Sequence, residues 1–361
     1  MIGMTLPPTN LKEENEVVLF PSPACREPDG SGWRVSVQGD VFTPADRPGL
    51  TKRLLLKVLQ RLMKASDDVM RGSAFQRRIE RFVAKDEGGK RVAVRVGDEV
   101  FPIPGKTQSN GHFAATLRIP NDLAARCLQP GEPGGADRLP IEVYREDGAK
   151  NGGHAFLLEP TGVSVISDID DTIKLSQVGN RRSLLQNTFL NEFAVIEGMA
   201  ATYQRWAAAG ADFHYVSSSP WQLYDHLRDL FERSAFPAGT YHLRAFRLRD
   251  HFLRRILLLR RSNKANAIAA LLRAFPQRKF YLIGDSGESD PETYGAVARR
   301  YPRQTAGIFI RALGPREKQH RFERAFRQLP PDLWRIFEAA DELPDELRPD
   351  PRDGGPPKRA K

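Results

Sequence analysis

Two cysteines in 361 residues, Cys25 and Cys127, are too few for a disulfide framework and form no CxxC pattern. They read as structural thiols of a reducing compartment. No run approaches the roughly 20 apolar residues of a membrane span. The opening "MIGMTLPPTNLKEENEVVLF" lacks the basic start and apolar core of a secretory signal. A cytoplasmic protein is expected, with any membrane contact peripheral. No GxxxxGKS/T, GxGxxG or GxSxG is present, which counts against NTPase, dinucleotide-binding and serine-hydrolase chemistry. The seven histidines form no HExxH spacing and read as structural. There is no internal repeat.

What is abundant is positive charge. Lys plus Arg number 55 against 45 Asp plus Glu, a net +10 that favours anionic partners such as phosphate esters, acidic lipid surfaces or nucleic acid, and composition does not choose among them. The aromatics are not interleaved with the basic runs as a base-stacking platform requires, so nucleic acid is not expected as a partner.

Residues 1–15 look loose, and 16–160 read mainly as strands. "WRVSVQG" alternates Trp33, Val35 and Val37 with polar neighbours, "RVAVRV" alternates Val92, Val94 and Val96, and "HFAATLRI" puts Phe113, Ala115, Leu117 and Ile119 on one face. Period two with Gly- and Pro-rich breaks predicts a small antiparallel sandwich or barrel. One helical insert interrupts it, "LTKRLLLKVLQRLMKA", with Leu55, Leu56, Leu59, Leu62 and Met63 at helical spacing. Over 161–330 strands and amphipathic helices alternate. Strands are expected at 163–168, 213–217, 241–244, 279–285 and 305–311, with helices near 197–209 and from Trp221, Lys264 and Asp290. That rhythm predicts a parallel sheet with helices on both faces. Residues 331–361 are expected to hold a C-terminal helix and a polar, Pro-rich disordered tail.

The stretch "SVISDIDDTIKLSQV" (164–178) ends an apolar, β-branched strand in Asp168, Asp170 and Asp171, followed by Thr172. Capping of a following helix accounts for one such residue, not for three acids together. Sites in open parallel sheets lie at the carboxyl ends of strands. That singles out Asp168 and Asp170, Ser217, Asp285, and Lys264 at a helix start. An ionised nucleophile, a metal cage, a hydroxyl and a cation are the parts of phosphoryl transfer, which proceeds by positioning and charge neutralisation. With an ordinary pKa of about 3.9, Asp168 is anionic and can attack phosphorus to form an aspartyl-phosphate. Two anions meeting require a divalent cation between them, and oxygen ligands from Asp168 and Asp285 suit Mg²⁺ better than Zn²⁺.

Asp170 is placed to protonate the leaving alcohol, with its pKa raised by the neighbouring carboxylate. To the metal it would offer its backbone carbonyl. Asp290-Pro291 reads as a helix N-cap and N1 pair, so Asp285 is preferred as a ligand. Asp171 and Lys174 are assigned to the surroundings of the site or to the surface. Taken singly, Ser217 could be no more than an N-cap and Lys264 a solvated side chain.

"DIDDT" after an apolar strand, a strand ending in Ser217, Lys264, and "GDSGESD" resemble, in order, the four motifs of the haloacid dehalogenase superfamily. "SDIDDTIK", "YVSSSPWQLYDHL" and "YLIGDSGESDPETYGAVARRYP" are similar to the actin-patch-associated phosphatidate phosphatase family, a resemblance extending over roughly 16–325 through "GWRVSVQGDVF" and "NGHF". It implies Asp168 as nucleophile, Asp170 as general acid/base, Ser217 bonding the phosphate and Lys264 pairing with it. Asp285 would complete the Mg²⁺ site with Asp290 behind it. Thr172 is counted with the substrate-contacting residues, and Ser218 competes for the role of Ser217. The implied fold is a Rossmannoid sheet ordered 5-4-1-2-3 with a small cap, preceded by the β-rich, sandwich-like domain.

The implied activity is Mg²⁺-dependent hydrolysis of phosphatidate to diacylglycerol. The alternatives are a phosphatase for another soluble or nucleic-acid monoester, or a basic binding module for lipid or nucleic acid. Between the second and third motifs, "YHLRAFRLRDHFLRRILLLRR" (241–261) holds seven arginines. Arg244 and Arg247 are candidate contacts for an anionic headgroup or membrane surface. The plainer reading is an apolar "ILLL" segment flanked by solvated arginines.

Overall fold

A computed structural model describes residues 9–44, 50–132, 134–146, 148, 151–244, 264–314 and 319–349, the side chains of 50–52 and 319 excepted. The first half supplies strands β1 (Glu16–Phe20), β2 (Ser22–Arg26), β3 (Gly32–Thr43), β4 (Lys85–Asp86), β5 (Ala93–Val96), β6 (Glu99–Pro102), β7 (His112–Pro120), β8 (Asp137–Val143) and β9 (Gly152–Leu158). Their pairing is antiparallel except between β2 and β9, and it links all nine into one hydrogen-bonded sheet. The alternating apolar residues do what their spacing predicts: Trp33, Val35, Val37, Val94, Val96, Leu117 and Ile119 share one buried cluster. The expected looseness up to residue 15 does not hold near its end. Asn15 is buried, and the Arg145 guanidinium donates to the carbonyls of Lys12 and Asn15 at 3.0 and 2.7 Å.

The second half forms a six-stranded, wholly parallel sheet from β10 (Val163–Ser167), β11 (Ala211–Pro220), β12 (Gly239–Arg244), β13 (Lys279–Asp285), β14 (Thr305–Arg311) and β15 (Trp334–Phe337). Its order is β12-β11-β10-β13-β14-β15. Strand periodicity sends successive side chains to opposite faces. Val165, Phe213, Tyr215 and Ile283 meet helices Met199–Ala208 and Tyr224–Arg233 on one side. Ile166, Val216, Leu282 and Ile308 meet helices Lys264–Ala274 and Asp290–Arg300 on the other. Gly210, at φ 90°, follows the end of the Met199–Ala208 helix in the left-handed conformation a Gly adopts freely.

A helix was expected within 331–361. Among the described residues that stretch holds two single-turn 3₁₀ helices, Pro331–Leu333 and Ala340–Glu342, and adds β15, because Trp334 and Ile336 alternate with Arg335 and pair in parallel with Ile308–Arg311. The tail from 350 lies outside the described residues. No helix of the described residues is long and apolar enough to cross a membrane.

The helical insert packs where the sequence could not say. Helices Leu50–Met63 and Ser73–Val83 bury Leu55, Leu59, Met63, Phe75, Ile79 and Phe82 in the same cluster as Leu185 and Phe189 of helix Arg181–Phe189. Phe82 meets Phe189 edge-on at 5.3 Å, and the Met63 carbonyl accepts from Gln186 Nε2 at 2.9 Å. The insert therefore leaves the β-rich half and lies against the parallel-sheet half. A second contact joins the halves: Phe20 stacks on Trp221 at 3.8 Å, and the Tyr241 amide donates to the Pro21 carbonyl at 3.1 Å.

Candidate active site

The carboxyl ends of β10, β11 and β13 converge as the strand-end rule requires. Asp168 follows β10, and its backbone N–H donates to the Ile283 carbonyl at 2.8 Å, fixing it beside β13. Asp285 ends β13, and Asp290 opens the helix that follows. All three are buried, with ligand oxygens within 4.8 Å of one another. Lys264 Nζ stands among the acids, 2.7 Å from Asp168 Oδ1, 2.8 Å from Asp290 Oδ1 and 3.0 Å from Glu288 Oε2.

Asp290 is thus not the N-cap that Asp-Pro suggested. Ser289 holds that position, and Asp290 turns inward to Lys264 and the Asp285 amide. Gly284 makes this possible, since a Cβ there would run into Asp290 and lie 2.8 Å from the Tyr294 ring.

Three carboxyl groups contact one cation, Asp285 lies close to two of them, and their pKa values are displaced accordingly. Burial pushes the Asp168 carboxyl well above the usual range; Lys264 opposes this, and the charges of Asp290 and Asp285 add to it. Asp285 is pushed up to about 8, by burial first and then by Asp290. Glu288 is raised in the same way. Lys264 keeps its charge: burial works against it, but Asp168, Asp290 and Glu288 hold its pKa well above the ordinary lysine value.

Asp170 behaves differently from the expectation. Burial would raise its pKa, yet Lys174 Nζ at 2.8 Å and hydroxyls from Ser176 at 2.6 Å and Ser219 at 2.8 Å outweigh that and hold it below the carboxylate range. The neighbouring acid that was to raise it loses to a nearer lysine. Lys174, assigned to the surroundings or surface, is buried at 1% exposure with its ammonium 4.9 Å from the Phe193 ring centre. Asp171, at φ 55°, accepts from the amides of Ser176, Gln177 and Val178 and so shapes the loop that carries Ser176.

The remaining candidates divide. Ser217 Oγ is engaged, donating to Asp170 Oδ2 at 3.1 Å and accepting from the Ser219 amide at 2.9 Å. Ser218 Oγ is buried without a partner. Thr172, expected on the substrate, is turned onto Asp168 Oδ2 at 3.4 Å. Arg244 ends β12, in register with Pro220 beside these serines. Arg247 lies outside the described residues. Glu288 and Ser219 join the site unforeseen, although "GDSGESD" and "SSSP" contained them.

The fold and site define a parallel α/β protein with a buried carboxylate cluster and an adjoining row of hydroxyls at its strand ends. Residues 163–312 match the family model described as "Phosphatidate phosphatase APP1, catalytic domain", which shows, over this stretch, the family resemblance carried by the motifs. The chain is 39% identical over 161 residues, 44% of its length, to the Phosphatidate phosphatase APP1 of Saccharomyces cerevisiae. To an uncharacterized protein of Schizosaccharomyces pombe it is 34% identical over 159 residues, 43% of its length. It spans about a quarter of the length of these relatives, 27% and 26% respectively.

Proposed function

We propose that this chain is a phosphatase that hydrolyses phosphatidate to diacylglycerol and phosphate through an aspartyl-phosphate on Asp168. The observation that carries the reading is the cluster of three buried aspartates, Asp168, Asp285 and Asp290, two of them ion-paired with Lys264, beside Asp170 and its hydroxyls. The substrate is taken from the name of the yeast relative and the description of the family model. Supporting a haloacid dehalogenase-like sheet, β14, β13, β10, β11 and β12 lie side by side in that order, with β15 beyond β14.

The residues fit Mg²⁺. Asp168, Asp285 and Asp290 offer hard oxygen donors close together, and Asp285 Oδ2 is buried without a partner. These three, with the Asp170 carbonyl, would hold the ion, which would neutralise charge between an anionic nucleophile and an anionic phosphate.

The rest falls to the chain. A carboxylate oxygen of Asp168 attacks phosphorus, the phosphorus–oxygen bond to the alcohol breaks, and the alcohol takes a proton from Asp170. Asp170 is ionised in the ligand-free site. A phosphate dianion arriving beside it raises its proton affinity, since a like charge disfavours ionisation, and Asp170 takes up from solvent the proton it then passes to the alcohol. Water then attacks the aspartyl-phosphate, and Asp170 accepts its proton. Lys264 stays charged throughout and balances the phosphate oxygens. The buried, unpartnered hydroxyl of Ser218 is the one free to donate to them, ahead of Ser217.

Phosphate release from phosphatidate in detergent micelles, with Mg²⁺ or with chelator, tests this directly. Metal-dependent release is expected, falling at least about a thousandfold in Asp168→Asn and strongly in Asp170→Asn. Release from p-nitrophenyl phosphate alone would keep the chemistry and remove the lipid. Release from neither would remove the phosphatase reading.

A further inference from the structure

Beside Asp170 lies a pocket that the phosphoryl chemistry leaves unused. Asp170, Ser218 and Ser219 contribute polar groups to its lining. Its described walls are largely apolar: Phe82 from the insert, Leu184 and Phe189 from helix Arg181–Phe189, and Val178 and Leu223. Of the polar side chains at its edge, Glu288 is already tied to Lys264 at 3.0 Å.

Resting on the phosphatase reading, the geometry points to this pocket as the leaving-group subsite, taking the aliphatic part of the departing alcohol. In-line displacement puts the leaving oxygen opposite the attacking Asp168 carboxylate. The same oxygen must sit within reach of Asp170, which protonates it. The carbon bonded to that oxygen then enters the space next to Asp170, which is this pocket. A sugar or nucleoside alcohol would strand its free hydroxyls against Phe82, Leu184 and Phe189, a cost that diacylglycerol avoids because its other two oxygens are esterified. At about 70 Å³ the pocket is far smaller than a site enclosing a whole drug-sized ligand. It grips the glycerol carbons nearest the phosphorus, and the acyl chains extend beyond it. The stretch between Asp168 and Ser217 is too short for a large cap, and the insert helix Ser73–Val83 supplies the missing wall from the other half of the chain.

The test is binding, read apart from turnover. Octylphosphonate and methylphosphonate are titrated calorimetrically into the full chain with Mg²⁺ present, beside Leu184→Asp and Val178→Asp. Both positions are only half-buried, and thermal melting checks that the variants fold. The full chain is expected to prefer the octyl compound by about tenfold or more, and each folded variant to bring the ratio down to about twofold or less. No octyl preference, or a preference that survives in a folded variant, overturns the inference. Phosphate release from phosphatidate by the same preparations separates the two readings. Release with an insensitive preference removes the pocket and leaves the phosphatase. A variant-sensitive preference without release keeps the pocket and removes phosphatidate as the substrate.

Discussion

Asp285 shows how a single carboxyl couples chemistry to stability. Its pKa is pushed from 3.8 to about 8 in the fold, chiefly by burial and then by Asp290. Between those values the native state holds a proton that the unfolded chain has released, so stability falls as pH rises. The contribution is complete below about pH 4 and gone above about 8, and the raised Asp168 and Glu288 act in the same direction. Thermal melting in chelator should show the midpoint declining from pH 5 to 8, with a flatter profile for Asp285→Asn. Mg²⁺ should restore more at pH 8 than at pH 5, because it binds ionised ligands. A midpoint rising over that interval would contradict the assignment. Asp168 and Asp285 were legible in the sequence because an acid ending an apolar strand leaves few structural explanations. Lys174 was not. A lysine in a loop reads as solvated, and its burial depends on Phe193 and Ser176, which only the fold brings to it.

At the scale of elements, the parallel strands and their helices follow from periodicity, and helices Met199–Ala208 and Lys264–Ala274 stand where they were expected. Periodicity names a buried face but not its partner. The Leu55, Leu59, Met63 stripe was therefore readable, while its packing on helix Arg181–Phe189 was not. The tight joint between β13 and helix Asp290–Arg300 depends on Gly284. In Gly284→Ala the new methyl must displace Asp290 or the Tyr294 ring, 2.8 Å away. Overpacking of this kind costs about 1–3 kcal/mol, to be read from urea unfolding. Mg²⁺ affinity measured by calorimetry should fall with it. Unchanged affinity would separate Asp290 from the metal.

For the molecule as a whole, the two halves meet through aromatic stacking and through the insert. Phe20 stacks on Trp221 and meets Tyr224 edge-on at 5.1 Å, while Trp221 follows directly on the site strand β11. A fragment of residues 161–349 would expose Trp221, Tyr224 and the Leu185–Phe189 face, surface the native chain keeps buried. It is expected to melt below the full chain in calorimetry, and an equal midpoint would show that the β-rich half contributes nothing to the stability of the parallel-sheet half.

The insert also sets an order in time. Synthesis runs from the N-terminus, so Leu55, Leu59 and Met63 leave the ribosome well over a hundred residues before Leu185 and Phe189, which cover them. At roughly 5–20 residues per second, that face waits on the order of ten seconds as bare apolar surface on a nascent chain. The segment that braces the finished site from the other half is, for that interval, surface a chaperone would shield.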